Sequence, residues 1–224
     1  FMAQRANIPT VIQEQNSLPG ITNKLLSKKA KAVFTAYNGL EKWFPAAAIV
    51  KTGNPIRAAV LETLPAKEEA KKQFTLDPEK ATILVLGGSL GARAINRAVA
   101  AQLADLTKNN TQLLWQCGKL YKDDYEKFTD ENVKVHTFIS DMNTAYAAAD
   151  IIISRAGAGT ISELCVIGKP VILVPSPNVA EDHQTHNAKA LSSVNAAILL
   201  PETQLDLLAE KVSEILENPN LQTD

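Results

Sequence analysis

Residues 83–93 carry the residue types of a phosphate-binding turn. An apolar run leads into Gly87, Gly88, Ser89 and Gly91, and a helix-like segment follows. Glycines let a backbone approach a ligand closely, and a helix N-terminus presents N–H groups and the positive end of its dipole to a phosphate. The alternative is a tight turn that only needs small residues.

Neither standard nucleotide fingerprint is met by this loop. Gly-x-Gly-x-x-Gly is absent, and the next strand ends at Trp115-Gln116-Cys117-Gly118 without the carboxylate of an NAD site. No Gly-Lys-Ser/Thr triplet occurs, which excludes a P-loop. The sequence therefore predicts a phosphate cradle of another kind.

A second glycine-rich junction, residues 154–163, follows another apolar run. Thr160 and Glu163 have the spacing of a capping box, so one interpretation is that they only cap a helix. The other is that Glu163, on the first helical turn, accepts hydrogen bonds from a vicinal diol such as a ribose. Ligands of open α/β sheets bind at the carboxyl ends of strands, so two such junctions favour a shared binding site.

A third polar cluster, residues 175–187, follows a further strand-like run. Asp182, His183 and His186 suggest a metal site, but a catalytic zinc site needs a third well-placed ligand and His136 is distant in sequence. We therefore predict no metal. A loop that leads into a helix and reads sugar hydroxyls is favoured, and a plain solvated loop is the alternative.

Nucleophilic catalysis has little support. No Gly-x-Ser-x-Gly elbow occurs, and Cys117 and Cys165 are predicted to be small buried hydrophobes. The aromatic residues are scattered and form no evident platform for stacking bases.

The elements that position these residues alternate regularly between residues 82 and 216. Short apolar runs with longer amphipathic segments between them are typical of βαβ units, hence of a parallel sheet covered on both faces. The predicted strands are Thr82–Leu86, Gln112–Gln116, Val133–Phe138, Ile151–Ser154, Pro170–Val174 and Ala197–Leu200. The predicted helices span 91–107, 119–128, 142–149, 159–167, 183–193 and 203–217.

The first 52 residues follow the same pattern but contain fewer elements. Strands are predicted at Pro9–Ile12, Ala32–Ala36 and Ala48–Lys51, with helical pieces at Thr22–Lys28 and Leu40–Phe44. So few elements bury little surface. The predicted domains are 1–52, the rear part of a second Rossmann-like domain; 53–80, a linker with one exposed helix at 67–74; and 81–224, the main domain.

Composition excludes several classes of protein. The chain has 224 residues, 46% hydrophobic and 21% charged, with a net charge of −1, so a nucleic-acid partner is not expected. No apolar run approaches the roughly 20 residues of a membrane span. Two cysteines far apart favour a reducing compartment, and the first residues do not resemble a signal peptide.

Five ordered motifs together resemble the MurG family of peptidoglycan N-acetylglucosaminyltransferases. The resemblance runs through the whole chain and is far more specific than any single glycine loop. The motifs are Gln15-Asn16-Ser17-Leu18-Pro19-Gly20-Ile21-Thr22-Asn23-Lys24, Gly53-Asn54-Pro55-Ile56-Arg57, Gly87-Gly88-Ser89-Leu90-Gly91-Ala92-Arg93, Ser154-Arg155-Ala156-Gly157-Ala158-Gly159-Thr160-Ile161-Ser162-Glu163 and Asp182-His183-Gln184-Thr185-His186-Asn187-Ala188.

The resemblance implies a GT-B glycosyltransferase, in which two Rossmann-like domains face a cleft and the C-terminal one holds UDP-N-acetylglucosamine (UDP-GlcNAc). Ser89 and its glycine loop would contact the diphosphate, with Arg57 near the nucleotide. The Ile139 backbone would read the uracil edge and Glu163 would bind the ribose diol. The remaining implied contacts are Ala158, Gly159 and Thr160 to the donor by their backbone, and Gln184 and Asn16 to the sugar.

The implied reaction inverts the anomeric carbon: the muramyl 4-hydroxyl of an undecaprenyl-pyrophosphoryl acceptor attacks, a base takes its proton and UDP leaves. No cofactor is expected. The implied setting is the cytoplasmic face of the bacterial inner membrane, with cell-wall synthesis proteins as partners.

Two departures from the family pattern affect these expectations. Gln13 stands where many members have His. The glycine-rich loop that faces the acceptor and supplies the base, the membrane-contacting surface and the closing C-terminal helix are not found in this sequence, so we expect a fragment without its catalytic base. The alternatives are another GT-B UDP-sugar transferase, a UDP-GlcNAc 2-epimerase-like enzyme and a non-catalytic nucleotide-sugar binding module.

Overall fold

Two separate parallel sheets organise the protein, which a computed structural model describes over residues 1–218. The first sheet has the order β1-β2-β3 and the second has the order β6-β5-β4-β7-β8-β9. The strands are β1 (Val11–Glu14), β2 (Ala32–Thr35), β3 (Ile49–Lys51), β4 (Ala81–Leu86), β5 (Thr111–Gln116), β6 (Val133–His136), β7 (Ile151–Ser154), β8 (Val171–Leu173) and β9 (Ile198–Leu199).

Ten α-helices and seven short 3₁₀ turns connect these strands within the described residues. The helices are α1 (Met2–Arg5), α2 (Ile21–Ser27), α3 (Lys67–Gln73), α4 (Arg93–Ala101), α5 (Leu103–Leu106), α6 (Lys122–Tyr125), α7 (Met142–Ala148), α8 (Ala158–Ile167), α9 (His183–Ser192) and α10 (Leu208–Glu217). The 3₁₀ turns are Leu40–Lys42, Ala46–Ala48, Ala58–Leu61, Lys119–Tyr121, Glu126–Phe128, Ala180–Asp182 and Glu202–Leu207.

Both faces of the six-stranded sheet are buried, which explains its continuous apolar strands. Along β4, Ile83 and Val85 belong to the hydrophobic cluster that includes α4 and α10. Leu84 and Leu86 belong to the opposite cluster, which includes α7 and α8. Successive strand residues point to opposite faces, so a strand covered on both sides is apolar over most of its length.

The strand order reverses beside β4. The chain passes from β4 to β5 and β6 on one side, and then returns to β7, β8 and β9 on the other. Leu86 at the end of β4 is in register with Gln116 of β5 and Ser154 of β7. The loops after these three strands therefore leave the same edge at a switch point, where ligands of open α/β sheets bind.

The three-stranded sheet has a much smaller core. Its buried hydrophobic cluster consists of Val33, Leu40 and Phe44, with a few half-buried neighbours. Its strands lie side by side in chain order and in parallel register.

The predicted α/β class with parallel sheets is confirmed, and the differences are local. The strand expected at Pro9–Ile12 lies at Val11–Glu14, and the one expected at 133–138 ends at His136. The helix expected over 91–107 breaks at Gln102, whose backbone is not helical (φ −113°, ψ 20°). Its side chain donates to Leu205 O (2.7 Å) and accepts from Ala209 N (3.0 Å), which ties the break to the start of α10.

The expectation of an exposed helix at 67–74 is wrong for one face of α3. Ala70 is fully buried in the cluster that contains α7 and α8. Lys71 is 2% exposed, and its ammonium donates to Pro78 O (3.0 Å) and Lys80 O (2.5 Å) and faces Asp150 at 3.6 Å. Burial lowers the pKa of Lys71.

The domain boundaries near 52 and 80 stay a prediction, and residues 219–224 of the predicted main domain lie outside the described residues.

Within residues 1–218, no helix combines the length and the apolar character that a membrane crossing requires.

Candidate functional site

The glycine loop after β4 has the backbone that only glycine adopts easily. Gly88 has φ +82° and Gly91 has φ +88°. A Cβ on Gly87 would lie 2.5 Å from the backbone nitrogen of Ala92, so the loop turns back tightly onto the start of α4. Ser89, the predicted diphosphate contact, is exposed at the tip.

A second glycine, Gly118 after β5, packs directly against this loop. A Cβ on Gly118 would lie 2.1 Å from Gly91 N, and a Cβ on Gly91 would lie 2.2 Å from Cys117 O. Buried Asn96 supports the contact, since it donates to Cys117 O at 2.8 Å and accepts from Trp115 Nε1 at 3.0 Å. Sequence reasoning did not identify this support, because the two loops meet only through strand pairing.

Glu163 does not cap α8, so the capping interpretation is wrong. The helix begins at Ala158 with Gly157 as its N-cap, which places Glu163 on the second turn and not the first. Its carboxylate instead accepts two hydrogen bonds of 2.7 Å from Arg57, Nε to Oε1 and Nη2 to Oε2. Tyr146 also donates to Oε2, at 3.2 Å.

The electrostatics of this trio follow from its geometry. The hydrogen bond to Glu163 raises the pKa of Arg57. Burial and the neighbouring Glu163 carboxylate raise the pKa of Tyr146, which is 1% exposed. Tyr146 was missed in the sequence because a Tyr in an alanine-rich helix has the pattern of a core aromatic.

Gln116 links Ile139 to the glycine loop by two hydrogen bonds. The Ile139 backbone N–H donates to Gln116 Oε1 at 2.8 Å, and Gln116 Nε2 donates to Gly88 O at 3.1 Å. The N–H of the predicted uracil reader is thus already engaged. The adjacent Phe138 is 50% exposed, a large aromatic surface that sequence reasoning did not single out.

A cavity of about 510 Å³ joins the glycine loop to the polar loop after β8. Gly91 and Gln184 both line it, although they come from different strand ends. Gln184 is held by Ser176 N, which donates to its Oε1 at 2.9 Å. Three guanidinium groups that were not predicted as site residues also line this cavity: Arg93, Arg97 and Arg155.

Among these cations, Arg155 is held in place by neighbouring protein groups. It donates to Val174 O at 3.1 Å and pairs with Glu202 at 2.5 Å. The cavity therefore combines positive charge with the N-terminal end of α4, which suits an anionic ligand.

Two metal-type side chains of the polar loop (residues 175–187), Asp182 and His183, are engaged with protein groups. Asp182 accepts from Thr185 Oγ1 at 2.7 Å, and His183 Nδ1 lies 2.9 Å from Ala180 O. In the described part of the chain, no group of three His, Cys, Asp or Glu side chains could hold a metal ion.

Ala158, Gly159 and Thr160, whose backbone is the predicted donor contact, form the first turn of α8. Asn16 comes from the other sheet, in the loop after β1. The two loops after β1 and β3 also reach α8 and α9: Asn54 donates to Ser162 Oγ at 3.0 Å, and Asn187 donates to Asn16 Oδ1 at 2.9 Å.

Comparison with known proteins agrees with this arrangement. Residues 82–224 match the glycosyltransferase family 28 C-terminal domain, and residues 1–35 match the corresponding N-terminal domain. A protein of Flavobacterium psychrophilum named UDP-N-acetylglucosamine–N-acetylmuramyl-(pentapeptide) pyrophosphoryl-undecaprenol N-acetylglucosamine transferase is 54% identical over 218 residues, covering 97% of this chain and 59% of that protein. A protein of the same name from Bacteroides fragilis is 50% identical over 234 residues, with 97% and 62% covered.

The crystal structure of Acinetobacter baumannii MurG is similar to this chain with a TM-score of 0.75 and 31% identity, covering 98% of this chain and 61% of that one. The chain thus spans about three fifths of the length of these relatives. The predicted GT-B type fold is confirmed by this likeness. The glycine loop, the loop after β8 and the family match over most of the chain lead to one conclusion: this protein belongs to glycosyltransferase family 28.

Proposed function

We propose that this chain is the donor-binding part of an N-acetylglucosaminyltransferase that takes UDP-GlcNAc. The observation that carries the proposal is the convergence of Gly91 and Gln184 on one cationic cavity at the carboxyl edge of the six-stranded sheet. The relatives named as N-acetylglucosamine transferases support the choice of sugar.

Each part of the donor has a chemically suitable partner. The diphosphate would lie on the loop of Gly87, Gly88, Ser89 and Gly91, with its negative charge at the N-terminus of α4. The Glu163 carboxylate accepts hydrogen bonds only, which suits the two hydroxyl groups of a ribose.

The uracil base and the GlcNAc sugar would lie at opposite ends of the bound donor, on either side of the ribose and the diphosphate. Since the Ile139 N–H is engaged by Gln116, the uracil would be read by the Ile139 carbonyl, and the half-exposed Phe138 ring could cover the base. Gln184 and Asn16 would contact the sugar hydroxyls from the two sheets, and the backbone of Ala158–Thr160 would face the donor from the start of α8.

Glu163 would have to release one of its present partners when the donor binds. Arg57 occupies one lone pair on each of its oxygens, and Tyr146 takes a second on Oε2. A carboxylate has about four acceptor sites, so a diol that needs two must displace at least one of these three hydrogen bonds. We assign the released bond to Arg57, because the diphosphate offers its guanidinium a second anion, where it would stabilise the leaving group.

The proposed reaction transfers GlcNAc to the muramyl 4-hydroxyl of undecaprenyl-pyrophosphoryl-MurNAc-pentapeptide with inversion. The hydroxyl oxygen forms a bond to the anomeric carbon, the bond from that carbon to the diphosphate oxygen breaks, a base takes the hydroxyl proton and UDP leaves. Catalysis would rest on positioning and on charge stabilisation of UDP. We place the reaction in peptidoglycan synthesis at the cytoplasmic face of the bacterial inner membrane, with the lipid-linked acceptor as second substrate.

Calorimetry with UDP-GlcNAc, UDP-glucose, UDP-galactose and NAD tests this proposal on the chain itself. We expect the tightest binding among the three UDP-sugars for UDP-GlcNAc and no heat of binding for NAD. Equal affinities for the three UDP-sugars would contradict the assignment of the sugar. Absence of binding by every UDP compound would contradict the donor site as a whole.

A further inference from the structure

Asn187 joins the loop after β1 to the six-stranded sheet. It lies on α9, one turn after Gln184, and its side chain is fully buried. Its Oδ1 accepts from the backbone N–H and the hydroxyl of Ser17, at 2.9 and 3.2 Å. Its Nδ2 donates to Asn16 Oδ1 at 2.9 Å and to Ala156 O at 3.4 Å.

The orientation of the Asn16 amide is determined by its neighbours. Buried Glu14 accepts from Asn16 N at 3.0 Å and from Asn16 Nδ2 at 3.4 Å through Oε1. Its other oxygen is held by Gly20 N at 3.2 Å and Asn23 Nδ2 at 2.9 Å. A carboxylate only accepts, so the amide nitrogen of Asn16 must face Glu14 and its oxygen must face Asn187.

The orientation of Asn187 follows in the same way. The Ser17 backbone N–H only donates, so the oxygen of Asn187 must face it and the nitrogen must face Asn16. The two amides therefore hold one another in a single arrangement. In it, one hydrogen of Asn16 Nδ2 points toward Glu14, and the second is available to an outside acceptor.

We propose that Asn187 is a positioning residue for the sugar half of the donor, acting through Asn16. This inference rests on the proposed donor site. Asn187 fixes the Asn16 amide so that its second N–H is presented to a sugar hydroxyl, and it places that amide relative to Gln184 on the same helix. Its hydrogen bonds go to Ser17, Asn16 and Ala156, and none of these is a proposed contact of the nucleotide half of the donor.

The ratio of the UDP-GlcNAc and UDP dissociation constants measures this role, because UDP lacks the sugar. We expect Asn187→Ala to raise the ratio by about 3- to 10-fold, the worth of one hydrogen bond, while the affinity for UDP is unchanged. Asn187→Asp retains the acceptor toward Ser17 and loses both donated bonds, so we expect the same increase. A loss of both affinities by one factor, or an unchanged ratio, would overturn the proposal.

A double-mutant cycle separates action through Asn16 from a direct effect. In the Asn16→Ala background, Asn187→Ala should produce no further increase in the ratio. An additive increase would contradict the proposed route. Gln112→Ala is the matched control, since Gln112 is equally buried and hydrogen-bonded but lies at the opposite end of the sheet, at the start of β5. It should lower thermal stability and leave the ratio unchanged.

Ser17→Ala keeps the proposal testable if both Asn187 variants fail to fold. It removes one hydrogen bond to Oδ1 from a half-buried side chain, so the ratio should rise by a smaller factor. An unchanged ratio in Ser17→Ala would then overturn the proposal. Failure of the unsubstituted chain to bind UDP would instead contradict the proposed function itself.

Discussion

Arg57 and Glu163, 106 positions apart in the chain, form a two-bonded ion pair with both donor–acceptor distances at 2.7 Å. The side chain of Arg57 is 51% exposed and that of Glu163 is 12% exposed. The pair connects the segment between the two sheets to α8. Both side chains are expected donor contacts, and in the structure each is the other's partner. If Glu163 accepts the ribose diol as proposed, donor binding must displace at least one of the hydrogen bonds that Arg57 and Tyr146 donate to it.

Glu163→Ala should weaken UDP binding by about 1–3 kcal/mol, because the ribose hydroxyls lose a charged acceptor. Titration calorimetry of both proteins with UDP measures the difference. Glu210→Ala, which removes an exposed carboxylate from α10, is the control and should leave the affinity unchanged. If Glu163→Ala also leaves it unchanged, Glu163 only anchors Arg57.

Arg57→Ala should weaken the binding of UDP without weakening the binding of uridine. Removing the guanidinium frees both oxygens of Glu163, so uridine should bind as well as before or more tightly. UDP should bind about 10-fold more weakly, because the diphosphate loses a charged hydrogen-bond donor. Calorimetry with the two ligands gives both values. Weaker binding of uridine would show that Arg57 supports the shape of the site and does not compete for Glu163.

Gly118→Ala should be more destabilising than Gly168→Ala by about 1–3 kcal/mol. Both positions have positive φ, but Gly118 (φ +91°, ψ 155°) lies in a region that essentially only glycine adopts, whereas Gly168 (φ +63°, ψ 30°) is left-handed helical, so backbone strain is also larger at Gly118. Only at Gly118 would the new Cβ meet another backbone, 2.1 Å from Gly91 N. Urea unfolding measures the difference in the free energy of unfolding. Gly118→Ala should also weaken UDP binding, since Gly91 must move, while Gly168→Ala should not. Equal effects on unfolding would contradict the tight packing of the two loops.

Lys169 should make stability rise with pH above about 8. Its ammonium donates to Ala147 O at 2.9 Å and to Ala149 O, and burial lowers its pKa to about 8 from an ordinary value of 10.5. Between these two pKa values the unfolded chain binds more protons than the folded one, so raising the pH increases the free energy of unfolding. This increase is lost again as the pH falls through about 8. Urea unfolding at pH 7.5 and 9.5 measures the free energy of unfolding of the unsubstituted protein and of Lys169→Met. Relative to the unsubstituted protein, Lys169→Met should be less stable at pH 9.5 than it is at pH 7.5. A difference that does not change with pH would contradict a lowered pKa.

Much of the fold can be predicted because its causes are local. Strands covered on both faces have apolar centres, so β4, β5 and β7 are recognisable as short apolar runs. The turn at Gly88 and Gly91 needs positive φ, which marks it with glycine. Features that depend on packing were misjudged. Thr160 and Glu163 match a capping box, yet the N-cap of α8 is Gly157, three residues before Thr160, and one face of α3 is buried by α7 rather than exposed.

The class of fold, the glycine loop and the polar residues near the strand ends can all be recognised in the amino-acid sequence, because they follow from short-range periodicity and backbone sterics. Which of these residues meet is evident only once the chain is packed. Arg57 pairs with Glu163, Gly118 packs on Gly91, and Asn187 orients Asn16 across 171 positions. These contacts depend on the strand order, the reversal beside β4 and the approach of the two sheets. No local pattern encodes them, since they follow from how whole buried surfaces pack.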